Sequence, residues 1–317
     1  MSANSTDHQD GLQARELPLA TLRGVCQVEF QNNVWTALLF LLALLLGGWR
    51  FAVFALIGAL VTTVTAWVLG VARDRLTIGL EGFNGTLIGV AVALFFEMGW
   101  VALMLVIAAS VLGAVVTAAL TVLLAPYDVP ALTAPFCVVT SLMMIGGPAF
   151  ARIWDARLPP APATAEPTAA LSYTDVWQGL LNGIGQVFFQ DKWYAGLVFL
   201  IGLLVASRVA AIAAVAGSAI GIVVAVILGA PATDIGAGLY GYNSVLTAIA
   251  LAGVFVALTP YGVLYAVLGA VASVFVTAGV AALFRPVGGP ALTWPFVLVT
   301  WTFLAAVPMF SKIRRPS

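Results

Sequence analysis

The sequence predicts an all-α polytopic membrane protein with two inverted repeats, each of five transmembrane helices and one re-entrant helix. Three observations indicate this class. Of 317 residues, 62% are hydrophobic and only 8% are charged, whereas about a quarter of a soluble domain is charged. The apolar residues form runs of about 20, which cross roughly 30 Å of hydrocarbon. Three motifs also occur twice in the same order.

Composition also excludes several function classes. Thirteen basic and thirteen acidic residues cancel, so no basic face for nucleic acid is expected. Cys26 and Cys137 have no metal or redox spacing, and the only histidine, His8, lies in a polar N-terminal segment. We therefore expect no metal, no cofactor and no enzymatic activity. Residues 1–18 also lack the apolar core of a cleavable signal.

Ten apolar runs are separated by one break that predicts a linker. The break at 151–175 is rich in proline and alanine. The predicted organisation is a polar tail (1–18), a first repeat (19–150), the linker (151–175), a second repeat (176–311) and a basic tail (312–317). The runs are 34–49, 51–71, 83–96, 101–125, 132–150, 193–206, 209–230, 239–258, 261–283 and 291–310.

Internal repeats predict a tandem duplication, roughly 1–160 and 161–317. Halves with an odd number of spans are oppositely oriented in the membrane and related by an axis in its plane. Polar or backbone-disrupting motifs that recur in both halves are therefore candidates for a translocation path. The repeated motifs are QVEFQ at 27–31 and QVFFQ at 186–190, GLEGFN at 79–84 and GLYGYN at 238–243, and PALTAPF at 130–136 and PALTWPF at 290–296.

The third motif puts a hydroxyl and a proline at the start of a helix. Thr133 and Thr293 are predicted either to cap these helices or to meet at the repeat axis. In the second motif two glycines precede a ring and a carboxamide. The alternative interpretations are a tight turn for Asn84 and Asn243, and ordinary packing for the adjacent rings.

The first motif follows segments at 17–24 and 175–185 that are too short and too polar to cross a membrane. A re-entrant half-helix is predicted for each, because non-helical backbone at membrane depth is tolerated where it lines a polar cavity. Its free carbonyls would accept hydrogen bonds from a solute. An interfacial position for Gln27 and Gln186 is the alternative.

These paired motifs resemble the urea transporter family in its bacterial form, over about residues 20–310. The resemblance implies five spanning helices and a tilted re-entrant helix in each half. It also implies a homotrimer in which every protomer has its own pore. Solute would then pass down its gradient without ion coupling.

The resemblance also implies roles for individual residues. Thr133 and Thr293 match the centre of the filter, while Gln27 and Gln186 match polar positions beside the pore. The wall and slot positions are Phe30, Phe189, Phe83 with Leu246, and Tyr242 with Leu87. Two departures stand out, since Gln186 replaces a frequent glutamate and Tyr242 a commoner phenylalanine.

The predicted function is passive, selective transport of urea. Urea is flat and uncharged, with several N–H donors and one carbonyl, so an apolar slot and a row of carbonyls suit it. No charged residue falls inside the ten apolar runs, and Glu81 is expected to be a solvated residue at a vestibule edge. The alternatives are a channel for water, ammonia or short amides, and a secondary transporter. An intramembrane enzyme or a scaffold is disfavoured.

The expected location is the cell inner (plasma) membrane, with lipid and urea as partners and no nucleic acid. A modest excess of lysine and arginine predicts cytoplasmic termini. Its strongest part is the basic cluster at 312–315.

Overall fold

A computed structural model describes residues 13–150, 152 and 170–316. These residues form fourteen α-helices joined by turns and short 3-10 segments. Seven helices precede the linker: α1 Leu17–Gln27, α2 Val34–Gly47, α3 Trp49–Val68, α4 Arg73–Thr77, α5 Phe83–Phe95, α6 Trp100–Leu124 and α7 Ala134–Gly146. Seven follow it: α8 Tyr173–Gly185, α9 Trp193–Ala206, α10 Arg208–Ile227, α11 Ala232–Gly236, α12 Tyr242–Ile249, α13 Pro260–Phe284 and α14 Trp294–Ala306. Most of the predicted tail and linker, including His8, lies outside the described residues.

The prediction of an all-α membrane protein is confirmed, but the apolar runs overestimate the helix lengths. Within the described ranges, four helices are long and apolar enough to cross a membrane: α3, α6, α10 and α13. The helical segments Tyr173–Phe188 and Trp193–Ala206 could form a fifth, bent by 72°. The run at 132–150, for example, contains a helix of only 13 residues, about 20 Å long. The runs continue through turns in which the helical hydrogen bonding stops.

Helices in the two halves begin at a nearly constant spacing. The starts of α2 and α9 lie at residues 34 and 193, and those of α7 and α14 at 134 and 294. The spacing thus rises from 159 to 160 residues. The extra residue falls beside a π-turn at Ala250–Val254, where Gly253 has φ +121°. A π-turn absorbs one residue within a helix, so this local irregularity keeps the later elements in equivalent positions.

Glycine permits the closest helix packing. In α3 and α5, a Cβ added to Gly58 would meet the carbonyl oxygen of Gly85, and one added to Gly85 would meet that of Gly58. The equivalent contact of α10 with α12 brings a Cβ at Gly217 to 2.6 Å from the carbonyl oxygen of Ser244. These contacts set the position of α5 and α12, whose first turns carry candidate site residues.

Helices α2 and α9 join the two halves. The rings of Phe40 and Phe199 lie 5.0 Å apart, and Phe188 stacks on Phe199 at 4.5 Å. The Thr36 hydroxyl donates a hydrogen bond of 2.8 Å to the carbonyl of Gly202. This packing holds the halves together beside the candidate site.

Candidate solute pathway

Two threonine hydroxyls meet between the halves. Thr133 and Thr293 directly precede α7 and α14, and their Oγ1 atoms lie 2.6 Å apart. Both residues are only 2% exposed, and the Cys137 thiol lies 3.2 Å from the Thr293 hydroxyl. Neither threonine side chain caps its helix. The capping alternative is therefore wrong. The two hydroxyls instead contact each other, which was the other interpretation.

Asn84 and Asn243 carry out the capping instead. The Asn84 side-chain oxygen accepts a hydrogen bond of 3.1 Å from the backbone N–H of Phe136, in the first turn of α7. The Asn84 amide N–H donates to the Leu132 carbonyl at 3.3 Å. Asn243 repeats this arrangement at the start of α14, at 3.1 and 3.4 Å. Both asparagines lie in a first helical turn and not in the preceding tight turn.

Phe83 and Tyr242 begin α5 and α12 and are partly exposed. Leu87 and Leu246 follow one turn later on the same helix faces and are fully buried. The two leucines belong to the core that joins the halves, and the two rings pack against it. The hydroxyl of Tyr242 donates a hydrogen bond of 2.9 Å to the Leu292 carbonyl. The facing of each ring by a leucine from the other half stays a prediction.

The side chains of Phe30 and Phe189 each pack against the opposite half. Both have left-handed backbones, with φ of 62° and 58°, which is uncommon outside glycine. The two rings make equivalent edge-to-face contacts with the opposite half. Phe30 contacts Phe255 at 5.5 Å and Phe296 at 6.1 Å, and Phe189 contacts Phe95 at 5.7 Å and Phe136 at 6.1 Å.

Gln27 and Gln186 connect α1 and α8 to the loops before α5 and α12. The side-chain amide of Gln27 donates to the carbonyl of Ile78 at 2.7 Å, and that of Gln186 to Ala237 at 3.0 Å. Each glutamine thus positions the loop that leads into a helix whose first residue is a candidate slot residue.

A cavity of about 480 Å³ opens beside Phe83. Gln27, Phe30 and Leu132 line this cavity, and Arg75 and Arg315 are among its charged lining residues. Arg75 forms an ion pair of 2.7 Å with Glu81, whose side chain is buried. The expectation of a solvated Glu81 is therefore wrong, because this carboxylate is held inside by an arginine.

The C-terminal segment reaches the same cavity. The Arg315 guanidinium donates a hydrogen bond of 2.7 Å to the backbone carbonyl of Asp128 and lies 3.7 Å from its carboxylate. The charged groups at the mouth of this cavity are therefore paired with one another. Such pairing reduces the field that a charged mouth would otherwise present to solutes.

Sequence reasoning missed Glu29. This residue is fully buried, and neither carboxyl oxygen has a hydrogen-bond partner among the described residues. Glu29 lies before the first apolar run, which begins at residue 34, so hydropathy contains no sign of its burial. The repeat alignment contained the signal, since Glu29 is equivalent to Phe188, a buried ring in the core.

Apolar membrane-length helices, with candidate site residues supplied equivalently by both halves, define a helical membrane transport protein. The chain belongs to the urea transporter family, whose profile matches residues 19–308. It is 34% identical over 302 residues to urea transporter 1 of Ovis aries, covering 93% of this chain and 78% of that protein. It is 33% identical to urea transporter 1 of Rattus norvegicus over 289 residues, or 89% and 75% of the two chains. The resemblance to the urea transporter family, which the paired motifs indicated, is confirmed.

Proposed function

We propose that the protein conducts urea passively across a membrane, through a narrow pathway between its two halves. The contact of Thr133 with Thr293 carries the proposal. Each half contributes one buried hydroxyl to this contact, and Leu132, the neighbour of Thr133, lines a cavity together with Phe83. Membership of the urea transporter family supports urea as the solute.

The chemistry of this pathway suits a flat, neutral diamide. Phe83 and Tyr242, with Leu246 and Leu87, are the proposed slots that limit solute thickness. Gln27 and Gln186, with Phe30 and Phe189, are the proposed neighbours of the path. Moving a polar group from water into apolar surroundings without a partner costs several kcal/mol, by order of magnitude. The threonine hydroxyls and nearby backbone carbonyls are proposed to replace the water that urea loses.

The proposed architecture is an inverted pair of repeats, 19–150 and 176–311, each with five spans and a re-entrant helix. The reciprocal contacts of Phe30 and Phe189 support it, since each ring contacts the equivalent pair of rings in the other half. Three such protomers are proposed to form a homotrimer in the cell inner membrane.

Both termini are proposed to lie on the cytoplasmic side. Glu16 pairs with Arg73 at 2.7 Å near the N-terminal end of the described residues. Arg315 near the C-terminus and Arg75 line one cavity. These contacts support termini at the same end of the protein. Labelling of a single introduced cysteine at either end of the chain in intact cells tests the side.

Stopped-flow light scattering on proteoliposomes tests the function. We expect urea permeability well above that of empty liposomes and a smaller increase for water and ammonia. Phe83→Ala should admit bulkier solutes such as N-alkylated ureas, because it removes one wall of a slot. Urea permeability equal to that of empty liposomes would refute the proposal, and a faster water or ammonia flux would favour another neutral solute.

A further inference from the structure

Tyr242 and Phe83 occupy equivalent positions with different chemistry. Each is the first residue of its helix, and each is followed by an asparagine that binds the carbonyl of the leucine before a central threonine. Only Tyr242 has a hydroxyl group, and this hydroxyl donates to the Leu292 carbonyl at 2.9 Å. The two ends of the proposed pathway therefore differ at one polar atom.

The extra hydroxyl changes the number of hydrogen bonds that the Leu292 carbonyl accepts. A carbonyl oxygen has two lone pairs. The Leu292 oxygen accepts from both Tyr242 and Asn243, at 2.9 and 3.4 Å. Among the residues that the structure describes, the equivalent oxygen of Leu132 accepts one side-chain hydrogen bond, from Asn84 at 3.3 Å. Leu132 therefore keeps a lone pair for a solute, while at Leu292 both lone pairs are used.

The phenolic oxygen of Tyr242 is itself a hydrogen-bond acceptor. A phenolic hydroxyl has one proton and can also accept hydrogen bonds. Because Leu292 takes the proton, the Tyr242 oxygen can face any further partner only as an acceptor. Donation by the hydroxyl also polarises it and strengthens its acceptor character.

We propose that the Tyr242 hydroxyl oxygen is a specificity-determining acceptor that replaces the Leu292 carbonyl at its end of the pathway. The solutes it favours are those with N–H groups on both sides of the carbonyl, that is, ureas over simple amides. An apolar substituent in place of one amino group leaves this oxygen without a donor. The inference rests on the proposed function and deepens it.

Urea and acetamide separate this role from a purely structural one. The two solutes have nearly the same flat shape, but acetamide has a methyl group in place of one amino group. If the hydroxyl only fixes the ring, its loss alters slot thickness and changes the two permeabilities together. If it accepts an N–H, its loss lowers the urea permeability selectively.

The experiment measures both permeabilities in proteoliposomes for the wild type and Tyr242→Phe. We expect the urea-to-acetamide permeability ratio to fall about fivefold, the effect of one hydrogen bond at membrane depth. The variant also frees a lone pair on the Leu292 carbonyl, but this oxygen lies 2.9 Å from the lost one and is too far away to accept the same N–H group. Tyr265→Phe is the matched control. It also removes a tyrosine hydroxyl that donates to a backbone carbonyl, that of Phe303 at 2.8 Å, but in the separate apolar cluster of α13 and α14. Its ratio should equal that of the wild type.

An unchanged ratio in Tyr242→Phe, or an equal fall in Tyr265→Phe, would overturn the inference. So would a wild type that conducts urea and acetamide equally well, a result that needs no variant to fold. Urea flux in the wild type with an unchanged ratio in Tyr242→Phe would leave the proposed function standing. Absence of urea flux in the wild type would remove both.

Discussion

Thr133 and Thr293 each precede a helix, yet their hydroxyls bond to one another. They are free to do so because Asn84 and Asn243 already bind the backbone N–H groups of the first turns. A threonine used as a cap would be committed to its own helix. Because neither threonine is a cap, we expect a solute that passes between the two hydroxyls to bind both of them.

Replacing both threonines by valine should lower urea permeability several-fold while leaving the fold intact. Valine keeps the shape, and removal of both partners of a hydrogen bond is often nearly neutral for stability. Stopped-flow scattering and thermal unfolding measure the two effects. Thr302→Val is the control, because the Thr302 hydroxyl donates within its own helix, to the carbonyl of Leu298. An unchanged permeability in the double variant would contradict the role.

Glu29→Leu should stabilise the protein. The native side chain is buried with both oxygens unpartnered among the described residues, and an unsatisfied buried polar group costs about 1–3 kcal/mol. We expect a gain of that order in the free energy of unfolding, measured in detergent. Glu29→Gln retains an unpaired polar group and should gain less. A destabilised leucine variant would show that the carboxyl group makes a favourable interaction.

Residue patterns predicted the meeting of the threonines, because the duplication puts equivalent positions on an axis. They did not predict the bond between Tyr242 and Leu292. That bond depends on the direction of the Leu292 carbonyl, which follows from a left-handed backbone with φ 48°. Leucine rarely adopts this conformation, so residue type contains no signal for it.

Helix positions were predictable from the apolar runs, and helix ends were not. Hydrophobicity reports burial or contact with lipid, and turns such as 69–71, which follow α3 inside the run 51–71, are as apolar as the helix before them. The change in repeat spacing from 159 to 160 residues implied one extra residue in the second half, but not its conformation. The spacing alone left open any site between Asn243 and Pro290, and only backbone geometry locates the extra residue at Ala250–Val254.

Gly58→Ala should destabilise the contact of α3 with α5. The added Cβ would meet the backbone carbonyl of Gly85, and overpacking of this kind typically costs about 1–3 kcal/mol. Gly279→Ala is the matched control in α13, where an added Cβ meets nothing within 4 Å. It should be neutral or slightly stabilising, since glycine inside a helix costs roughly 0.5–1 kcal/mol relative to alanine. Equal melting temperatures for the two variants would exclude the close approach.

In the molecule as a whole, the distribution of charged side chains suits the transport of a neutral solute. Arg75 with Glu81 and Arg315 with Asp128 pair at one mouth, and the central contact consists of hydroxyls and a thiol. Transporters that couple to protons or sodium need ionisable or ion-coordinating groups at membrane depth. Among the described residues, two carboxyl groups are buried: Glu81 is paired with Arg75, and Glu29 has no hydrogen-bond partner and is the candidate for such coupling.

We expect transport to be passive and electroneutral. The test begins with proteoliposomes holding equal urea concentrations on both sides, to which a proton or sodium gradient is applied. A passive pathway leaves urea equal, because urea is neutral and no ion moves with it. Glu29→Leu should conduct urea like the wild type. Accumulation of urea against its gradient would overturn this prediction, and its loss in Glu29→Leu would assign the coupling to that carboxyl group.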